Sequence, residues 1–201
     1  MRTVKKPDVR RQEIIDAATE LFLSQTYDKT TTGQVMDVLG IAKGTIYHYF
    51  SSKEQLLEAV VDELAEGYVQ RREAELAGAE GDALARLAVL FSPEHRSEGE
   101  KSATESLHKP GNVKLHTRLL AVLVLRLGPV VADLVTQGCE EGIFQTEHPL
   151  EVAELLLAGV QFLTDDGFYS WDDEALQRRA GAIPAMVERL LGAEAGSVRF
   201  L

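Results

Sequence analysis

The chain has 201 residues, of which 45% are hydrophobic and 26% are charged, as in an ordinary soluble globular protein of one or two domains. A single cysteine, Cys139, excludes an intrachain disulfide and a zinc site built from cysteines. The net charge of −11 argues at first sight against a nucleic-acid partner. The charge is uneven, however, because residues 1–53 carry eight basic and six acidic side chains, whereas residues 54–201 carry 13 and 26. A slightly basic N-terminal module on an acidic body suits a DNA-binding protein whose remainder stays off the phosphates.

The N-terminal segment MRTVKKPDVRRQE is basic, and no apolar run follows it, so it does not resemble a secretory signal. Its first eight residues form either a solvated tail or an arm that contacts DNA. The most apolar run, Leu119–Leu127, is interrupted by Arg126 and is shorter than the ~20 residues that span a bilayer. We therefore expect a cytoplasmic protein.

The first helix is predicted over residues 9–25, where apolar side chains recur on one face at Ile14, Ala18, Leu21 and Phe22. Thr31 and Gln34 match a capping box, which starts a second helix. Gly40 provides a tight stop, and a third helix begins two residues later at Ala42. A helix, a short glycine turn and a helix form a helix-turn-helix, in which the second helix of the pair enters the major groove of DNA.

The rest of the chain also has helical periodicity. Ser52 and Gln55 form another capping box, which starts a long helix that runs to about Leu76. The segment 94–111 is too punctuated to assign. The other predicted helices cover 84–91, 112–127 (capped by Asn112), 130–141 (separated from the previous one by Gly128-Pro129), 149–165 and 173–191. The predicted fold class is all-α, with about nine helices.

The N-terminal 55 residues resemble the DNA-binding domain of the tetracycline-repressor (TetR) family of bacterial transcription regulators. The resemblance is carried by Thr30-Thr31, Gly40, Lys43-Gly44-Thr45-Ile46-Tyr47, Phe50, and Ser52-Lys53-Glu54 before Leu56-Leu57. It implies a three-helix helix-turn-helix DNA-binding domain over residues 1–53. It also implies a helical-bundle domain for ligand binding and dimerisation over residues 54–201. In that part of the chain, the resemblance to the family is limited to the length and the order of the helices.

Three residues of the second helix depart from the family pattern. Gly33, Met36 and Leu39 occupy positions where the family usually has a polar residue, an alanine and an alanine. Gly33 should weaken the helix by ~1 kcal/mol relative to alanine, and the two larger side chains imply a repacked helix pair. None of the three lies at a base-reading position.

The resemblance places the third helix at the DNA, and the chemistry of its side chains agrees. Lys43 suits a phosphate or a guanine edge, and Thr45 suits a phosphate or a thymine methyl group. Gly44 allows the start of the helix to approach the DNA backbone closely. For Tyr47, the alternative to a DNA contact is packing in the protein interior. The predicted DNA-binding residues are Thr31, Lys43, Gly44, Thr45, Tyr47, His48 and Lys53.

A ligand pocket is expected among the long fourth helix, the helix 112–127 and the helix 149–165. Its candidate lining residues are Phe91, His95, His116, Leu120, Phe162 and Tyr169, each with plain core packing as the alternative. The histidines His95, His108 and His116 have no i, i+4 spacing and no cysteine beside them, so we expect no metal and no cofactor.

These observations lead to the hypothesis of a homodimeric repressor that binds a palindromic operator and is released by a small-molecule effector. Pairing of the last two helices with those of a second subunit is implied by the resemblance. The alternatives are a helical binding or adaptor protein with a vestigial helix-turn-helix, and an all-α enzyme. An enzyme is disfavoured because the sequence has no nucleophile elbow, HExxH, P-loop or dinucleotide fingerprint. Effector, operator sequence and sign of regulation do not follow from the sequence.

Overall fold

The computed structural model describes residues 6–91, 98–165 and 167–199. Over these ranges the chain forms α-helices, a single 3-10 turn at Pro110–Asn112 and no strand, which confirms the all-α prediction. The helices are α1 (Pro7–Gln25), α2 (Thr32–Leu39), α3 (Lys43–Tyr49), α4 (Lys53–Ala77), α5 (Ala83–Phe91), α6 (Glu98–Leu107), α7 (Val113–Glu140), α8 (Pro149–Leu163) and α9 (Asp173–Leu191).

The chain divides into two compact units that do not follow the order of the sequence. The first unit comprises Met1–Leu64 together with Lys101–Leu119, and the second comprises Ala65–Glu100 together with Leu120–Leu201. Most of α6 and the start of α7 therefore belong with the N-terminal helices. The boundary at residue 53 that the sequence suggests for the DNA-reading segment stays a prediction.

The core of the first unit forms where the helix periodicity places apolar side chains. Ile14, Ala18 and Phe22 of α1 are fully buried, as are Val35 of α2 and Ile46 of α3. Burial of a large aliphatic or aromatic side chain contributes about 1.5–3 kcal/mol to stability. This shared core holds the three short helices in a fixed relation.

The start of α4 has one half of the capping box predicted for Ser52 and Gln55, whereas the Gln55 side chain bonds to the Ser51 amide instead of the Ser52 amide. The Ser52 hydroxyl accepts a hydrogen bond from the Gln55 amide at 3.1 Å, and the Gln55 side chain accepts one from the Ser51 amide at 2.6 Å. Further along the helix, Glu54 pairs with Lys114 at 3.3 Å and Glu58 pairs with Arg118 at 2.7 Å. Within the first unit, α4 is thus tied to the first turns of α7.

The predicted break at Gly128-Pro129 was wrong, because α7 continues through both residues as one helix of 28 residues. Gly128 is buried because α8 packs closely there: a Cβ on it would lie 3.3 Å from Cγ of Glu154 and 3.7 Å from Leu150. Pro129 lies on the exposed side of the helix. On that side water can solvate the carbonyl that loses its helical partner, so the packing of the buried side outweighs the proline.

The apolar length of α7 was also underestimated from the sequence. By length and composition, Pro110–Glu140 is the one helix of the described ranges that could cross a membrane. A central core helix of a soluble protein has the same composition, and Leu115, Leu119, Leu123 and Leu127 form a buried stripe along α7. In the second unit Arg126 of α7 pairs with Glu66 at 2.7 Å. Three basic side chains of α7, Lys114, Arg118 and Arg126, are therefore paired with glutamates of α4, along a helix that packs as a core element.

Asn112 does not cap α7 in the way the sequence suggested. Its side chain instead accepts a hydrogen bond from the Tyr27 amide and donates to the carbonyls of Phe22 and Ser106. The residue is completely buried. The start of α7 is thereby joined to the end of α1.

The second unit ends in two C-terminal helices, α8 and α9, which contact each other. Pro184 lies within α9 without ending it. Gly192 closes α9 in the left-handed conformation, at φ 65°. The buried carboxylate of Glu188 then accepts hydrogen bonds from the amides of Gly196 (2.8 Å) and Val198 (3.1 Å), which fixes the chain after the helix.

Candidate nucleic-acid interface

The helix pair α2–α3 is defined at both ends by local chemistry. The Thr31 hydroxyl accepts from the Gln34 amide at 3.2 Å, and the Gln34 side chain accepts from the Thr31 amide at 2.8 Å, so the capping box is present. Gly40 adopts φ 60° and ψ 36°, and its amide reaches the carbonyls of Met36 and Asp37. Since only glycine adopts this conformation without strain, the turn into α3 depends on it.

One face of α3 is buried and the other is open. Ile46 and Phe50 pack inward at 1% and 3% exposure. Lys43, Gly44, Tyr47 and His48 are exposed, and Thr45 is half-buried. The structure therefore brings together on one surface five of the residues predicted to bind DNA. Their assignment to DNA contacts remains a prediction.

Tyr47 is 43% exposed, so interior packing does not explain it. Its hydroxyl lies 3.4 Å from the hydroxyl of Thr32, and the Lys43 ammonium lies 5.8 Å from the centre of its ring. The ring is thus held between α2 and α3 with its polar end outward. A cation, two hydroxyls and an aromatic edge on one surface can donate to phosphates and to base edges.

Gly44 has no role in the packing of the free protein. A Cβ placed on it would meet nothing within 4 Å. The residue is exposed and has no unusual backbone angle. The space above this backbone is therefore available to a partner that approaches the first turn of α3.

Lys53 is engaged within the protein, which the sequence did not reveal. Its ammonium lies 4.0 Å from the centre of the Tyr27 ring and donates to the Asp28 carbonyl at 3.4 Å. Burial lowers the pKa of Lys53, and it also raises the pKa of Tyr27, with the Glu54 carboxylate adding to the latter effect. Lys53 thus joins the start of α4 to the α1–α2 loop, and contact with phosphate stays a prediction for it.

Two residues of α2, the half-buried Thr32 and the exposed Val38, were missed by sequence reasoning. Thr32, beside the capping residue, meets Tyr47, and Val38 exposes 60% of its surface beside polar neighbours. A β-branched apolar side chain left in solvent on the second helix suits contact with a thymine methyl group. The periodicity of α2 could not have identified Val38 as exposed, because a residue three positions after the buried Val35 is expected on the same face of the helix.

The candidate ligand-lining residues lie in different parts of the chain. Phe91, Leu120, Phe162 and Tyr169 belong to the second unit, whereas His116 belongs to the first. His95 lies outside the described residues. Leu120 is buried, and Phe91 and Phe162 are half-buried.

Near the end of α8, aromatic side chains that sequence reasoning missed stack on two of these candidates. Phe162 stacks on Phe168 with ring centres 5.0 Å apart, and Tyr169 stacks on Trp171 at 4.9 Å. The guanidinium of Arg179 covers the other side of Trp171 at 3.4 Å. A run of aromatic residues in a short loop was the available signal.

Two of the three histidines considered for a metal come together in the first unit. The rings of His108 and His116 lie 5.1 Å apart, because the turn after α6 brings His108 beside the first turns of α7. Spacing along one helix therefore gave no information about this pair. The absence of a metal stays an expectation from the sequence.

Comparisons with known proteins agree with this architecture in both halves of the chain. The family model described as "Bacterial regulatory proteins, tetR family" matches residues 14–60, and the model "Tetracyclin repressor-like, C-terminal domain" matches residues 96–185. The first match covers α2, α3 and the start of α4. The two together cover well over half of the sequence.

Similar curated proteins are transcriptional regulators. The chain is 25% identical over 158 residues to the HTH-type transcriptional repressor KstR2 of Mycobacterium tuberculosis, covering 75% of this chain and 77% of that protein. It is 24% identical over 161 residues to the Fatty acid metabolism regulator protein of Bacillus subtilis, covering 78% and 81%.

Solved structures share the fold. E. coli NemR in its reduced form has a TM-score of 0.60 at 18% identity, covering 92% of this chain and 99% of that one. Salmonella enterica GusR has a TM-score of 0.58 at 18% identity, covering 96% and 100%. At this level of identity, the likeness concerns the fold.

Proposed function

This chain belongs to the tetR family of bacterial regulatory proteins, and from that premise we propose how it performs ligand-responsive, DNA-binding transcriptional regulation. Two copies bind a palindromic operator, each placing α3 in the major groove, and the bound dimer represses transcription. A small molecule that binds the second unit releases the dimer from DNA.

The observation that carries this proposal is the open face of α3. Lys43 and Tyr47 are exposed on a short helix whose opposite side is anchored by Ile46. Gly44 leaves the backbone between them accessible. An exposed reading face on a rigidly packed helix matches the recognition helix of a helix-turn-helix.

The proposed dimer is supported by an exposed apolar stripe on the C-terminal helices. On α8, Leu155 and Leu163 expose 57% and 42% of their surfaces, and a Cβ on Gly159 between them would meet nothing within 4 Å. On α9, Met186 and Leu190 expose 57% and 38%. Each set is spaced four residues apart, so each forms one face of its helix. A second copy of α8 and α9 would bury this stripe in a four-helix interface.

A charge in the stripe should separate the subunits. Met186→Glu places like charges near each other across a twofold axis. We expect the dimer dissociation constant to rise by about 100-fold or more, because such a juxtaposition costs several kcal/mol. Sedimentation velocity measures the effect, and Leu125→Glu, at an exposed leucine of α7, is the matched control. A dimer unchanged by Met186→Glu would move the interface elsewhere.

We propose that α4 transmits the effect of effector binding to the DNA-binding helices. Only residues 50–52 separate this helix from α3, and it extends to Ala77, which lies in the second unit. A tilt of α4 therefore changes the direction of α3 and the separation of the two reading helices in the dimer. An effector that binds the tilted state more tightly shifts the population towards release.

We propose an apolar or amphipathic effector. The second unit contains stacked aromatic side chains at Phe162 and Phe168, which suit an apolar ligand. The printed name of the Bacillus subtilis relative concerns fatty acid metabolism. Straight-chain fatty acids of graded length are therefore a reasonable first set of probes.

Selection of bound genomic fragments tests the function directly. The purified wild-type protein is incubated with sheared DNA of its own source organism, and the retained fragments are sequenced. We expect enrichment of a palindrome whose half-sites lie about one helical turn apart or at a related spacing. A retained pool with no common sequence would overturn the proposal. The genes beside the enriched sites then narrow the choice of effector.

The proposed site of action is the cytoplasm, where the operator is located. The relatives are regulators and not enzymes, and no catalytic role is proposed for any residue.

A further inference from the structure

The turn between α6 and α7 is bonded to the end of α1 by a buried side chain. The amide oxygen of Asn112 accepts from the Tyr27 backbone amide at 2.6 Å. Its amide nitrogen donates to the carbonyl of Phe22 at 3.0 Å and to that of Ser106 at 2.8 Å. The side chain is fully buried, and its bonds to Tyr27 and Phe22 are shielded from water. We refer to residues 106–113 as the junction segment.

The end of α1 depends on these bonds because no glycine C-cap terminates the helix. The carbonyls of the last turn of a helix have no partner within the helix. Here Asn112 satisfies Phe22, and the ammonium of Lys109 reaches the Leu23 carbonyl at 3.3 Å. The C-cap residue is Thr26 with φ 84°, a conformation that glycine normally provides. The junction segment therefore completes α1 from a distant part of the sequence.

The same segment fixes the loop that leads into the DNA-reading helices. The Asp28 amide donates to the Gly111 carbonyl at 3.0 Å. The Thr30 amide in turn reaches the Thr26 carbonyl at 3.2 Å, and α2 begins two residues later. The approach is close, because a Cβ on Gly111 would lie 2.9 Å from Cβ of Thr26 and would collide with its hydroxyl. The direction of α2 thus depends on the position of the junction segment.

We propose that Asn112 is a positioning residue for operator binding, through which α7 reports the state of the second unit to the reading helices. This inference rests on the proposed function and adds a second route to that of α4. The helix α7 starts directly after Asn112 in the first unit and continues without a break into the second. A shift of α7 along its axis withdraws this buried amide from both of its partners at the end of α1, the Tyr27 amide and the Phe22 carbonyl. Since buried polar groups without partners are costly, the junction favours two discrete positions over a continuum.

Two substitutions of Asn112 test the proposal. Asn112→Ala removes all three side-chain bonds. Asn112→Asp keeps the acceptor for the Tyr27 amide but places a carboxylate oxygen against the carbonyls of Phe22 and Ser106. We expect each to weaken binding to a duplex carrying the selected palindrome by about tenfold or more, with Asp no better than Ala. In Asn112→Ala, hydrogen exchange at the amides of Tyr27 and Asp28 should also become faster.

A matched control separates positioning from general loss of stability. Leu87→Ala removes a buried side chain of α5, and not of α7, in the second unit, where Leu87 is 2% exposed. It should lower the melting temperature while leaving operator affinity per folded dimer, and exchange at Tyr27, at the wild-type level. Equal operator affinity for wild type and Asn112→Ala would overturn the proposal. Loss of affinity in Leu87→Ala to the same extent as in Asn112→Ala would also overturn it.

A rescue experiment decides the matter if the Asn112 variants fail to fold. Gly111→Ala should displace the junction segment through its collision with Thr26 and weaken operator binding by about tenfold. Adding Thr26→Gly removes the colliding side chain and suits φ 84°, so the double variant should return to within about twofold of wild type. A double variant as weak as Gly111→Ala would contradict the proposal. If the wild-type protein itself retains no operator, the proposed function fails, whereas a wild type that binds alongside unaffected variants refutes Asn112 alone.

Discussion

The reading pair α2–α3 and the long helix α7 differ in what determines their structure. In α2–α3, each boundary comes from residues within a few positions: Thr31 with Gln34 at the start, and Gly40 at the turn. In α7, the local signals at Gly128 and Pro129 favour a break, yet the helix continues because its buried face packs against other elements. A segment that must keep one face free for a partner is specified locally, whereas a core helix is specified by its surroundings.

The largest expected effect concerns the free face of α3. Lys43→Ala and Tyr47→Ala should each lower operator affinity by about 2–6 kcal/mol, because about 1–3 kcal/mol is lost in each half-site of the dimer. The unfolding free energy should change little, since both side chains are exposed. A gel shift with the selected operator and sedimentation of the same samples measure the two properties.

Lys101→Ala is the control, because it removes an exposed cation from α6 instead of α3. It should leave affinity within about twofold. Operator affinity unchanged in both α3 variants would show that the reading face has been assigned wrongly.

The sequence was sufficient for the elements whose determinants are local. Patterns of three to eight residues predict the bounds of α1, α2 and α4, the capping box of α2, the Ser52 cap of α4 and the burial of Ile46 and Phe50. The continuity of α7 and the bonds of Asn112 do not, because they depend on partners tens of residues away in the sequence.

Among the predicted site residues, Lys43 and Tyr47 could be recognised because an exposed functional side chain breaks the apolar periodicity of its helix. The contact of Lys53 with Tyr27 could not, because the loop that supplies Tyr27 takes its position from the distant junction segment. Local patterns thus identify which residues are exposed, but not which exposed residues have partners.

The next largest effect is expected where α7 is packed most closely. A Cβ on Gly138 would collide with the ring of Phe144, which is 4% exposed and fixed by the turn after α7. Gly138→Ala should therefore destabilise the protein by about 3 kcal/mol despite the better helix propensity of alanine. Urea denaturation measures this, and Phe144→Leu in the same background should recover part of the loss. A Gly138→Ala protein as stable as wild type would show that α7 is less constrained than the contacts imply.

Pro129 should behave in the opposite way. Because α7 is continuous, Pro129→Ala allows residue 129 to donate to the carbonyl of Leu125, on the exposed side of the helix. We expect a gain of about 2 kcal/mol, below the ~3 kcal/mol by which proline disfavours a helix interior, because the native helix has already adapted. Urea denaturation of the variant and wild type measures it. A loss of stability would indicate that the proline is required where it stands.

Gly44→Ala should produce the smallest change in stability and separates folding from recognition. Gly44 lies in the first turn of α3, and an added Cβ meets nothing within 4 Å. Alanine restricts the unfolded chain more than glycine does, so the free protein should gain about 0.5–1 kcal/mol. If DNA approaches this backbone, the same methyl group occupies the space of the partner, and operator affinity should fall while the melting temperature rises.

Gly138→Ala has the same chemistry in α7 and should lower stability instead. The two alanine variants should therefore shift the melting temperature in opposite directions. A Gly44→Ala protein that is more stable and binds operator as wild type does would mean that DNA stays clear of the start of α3.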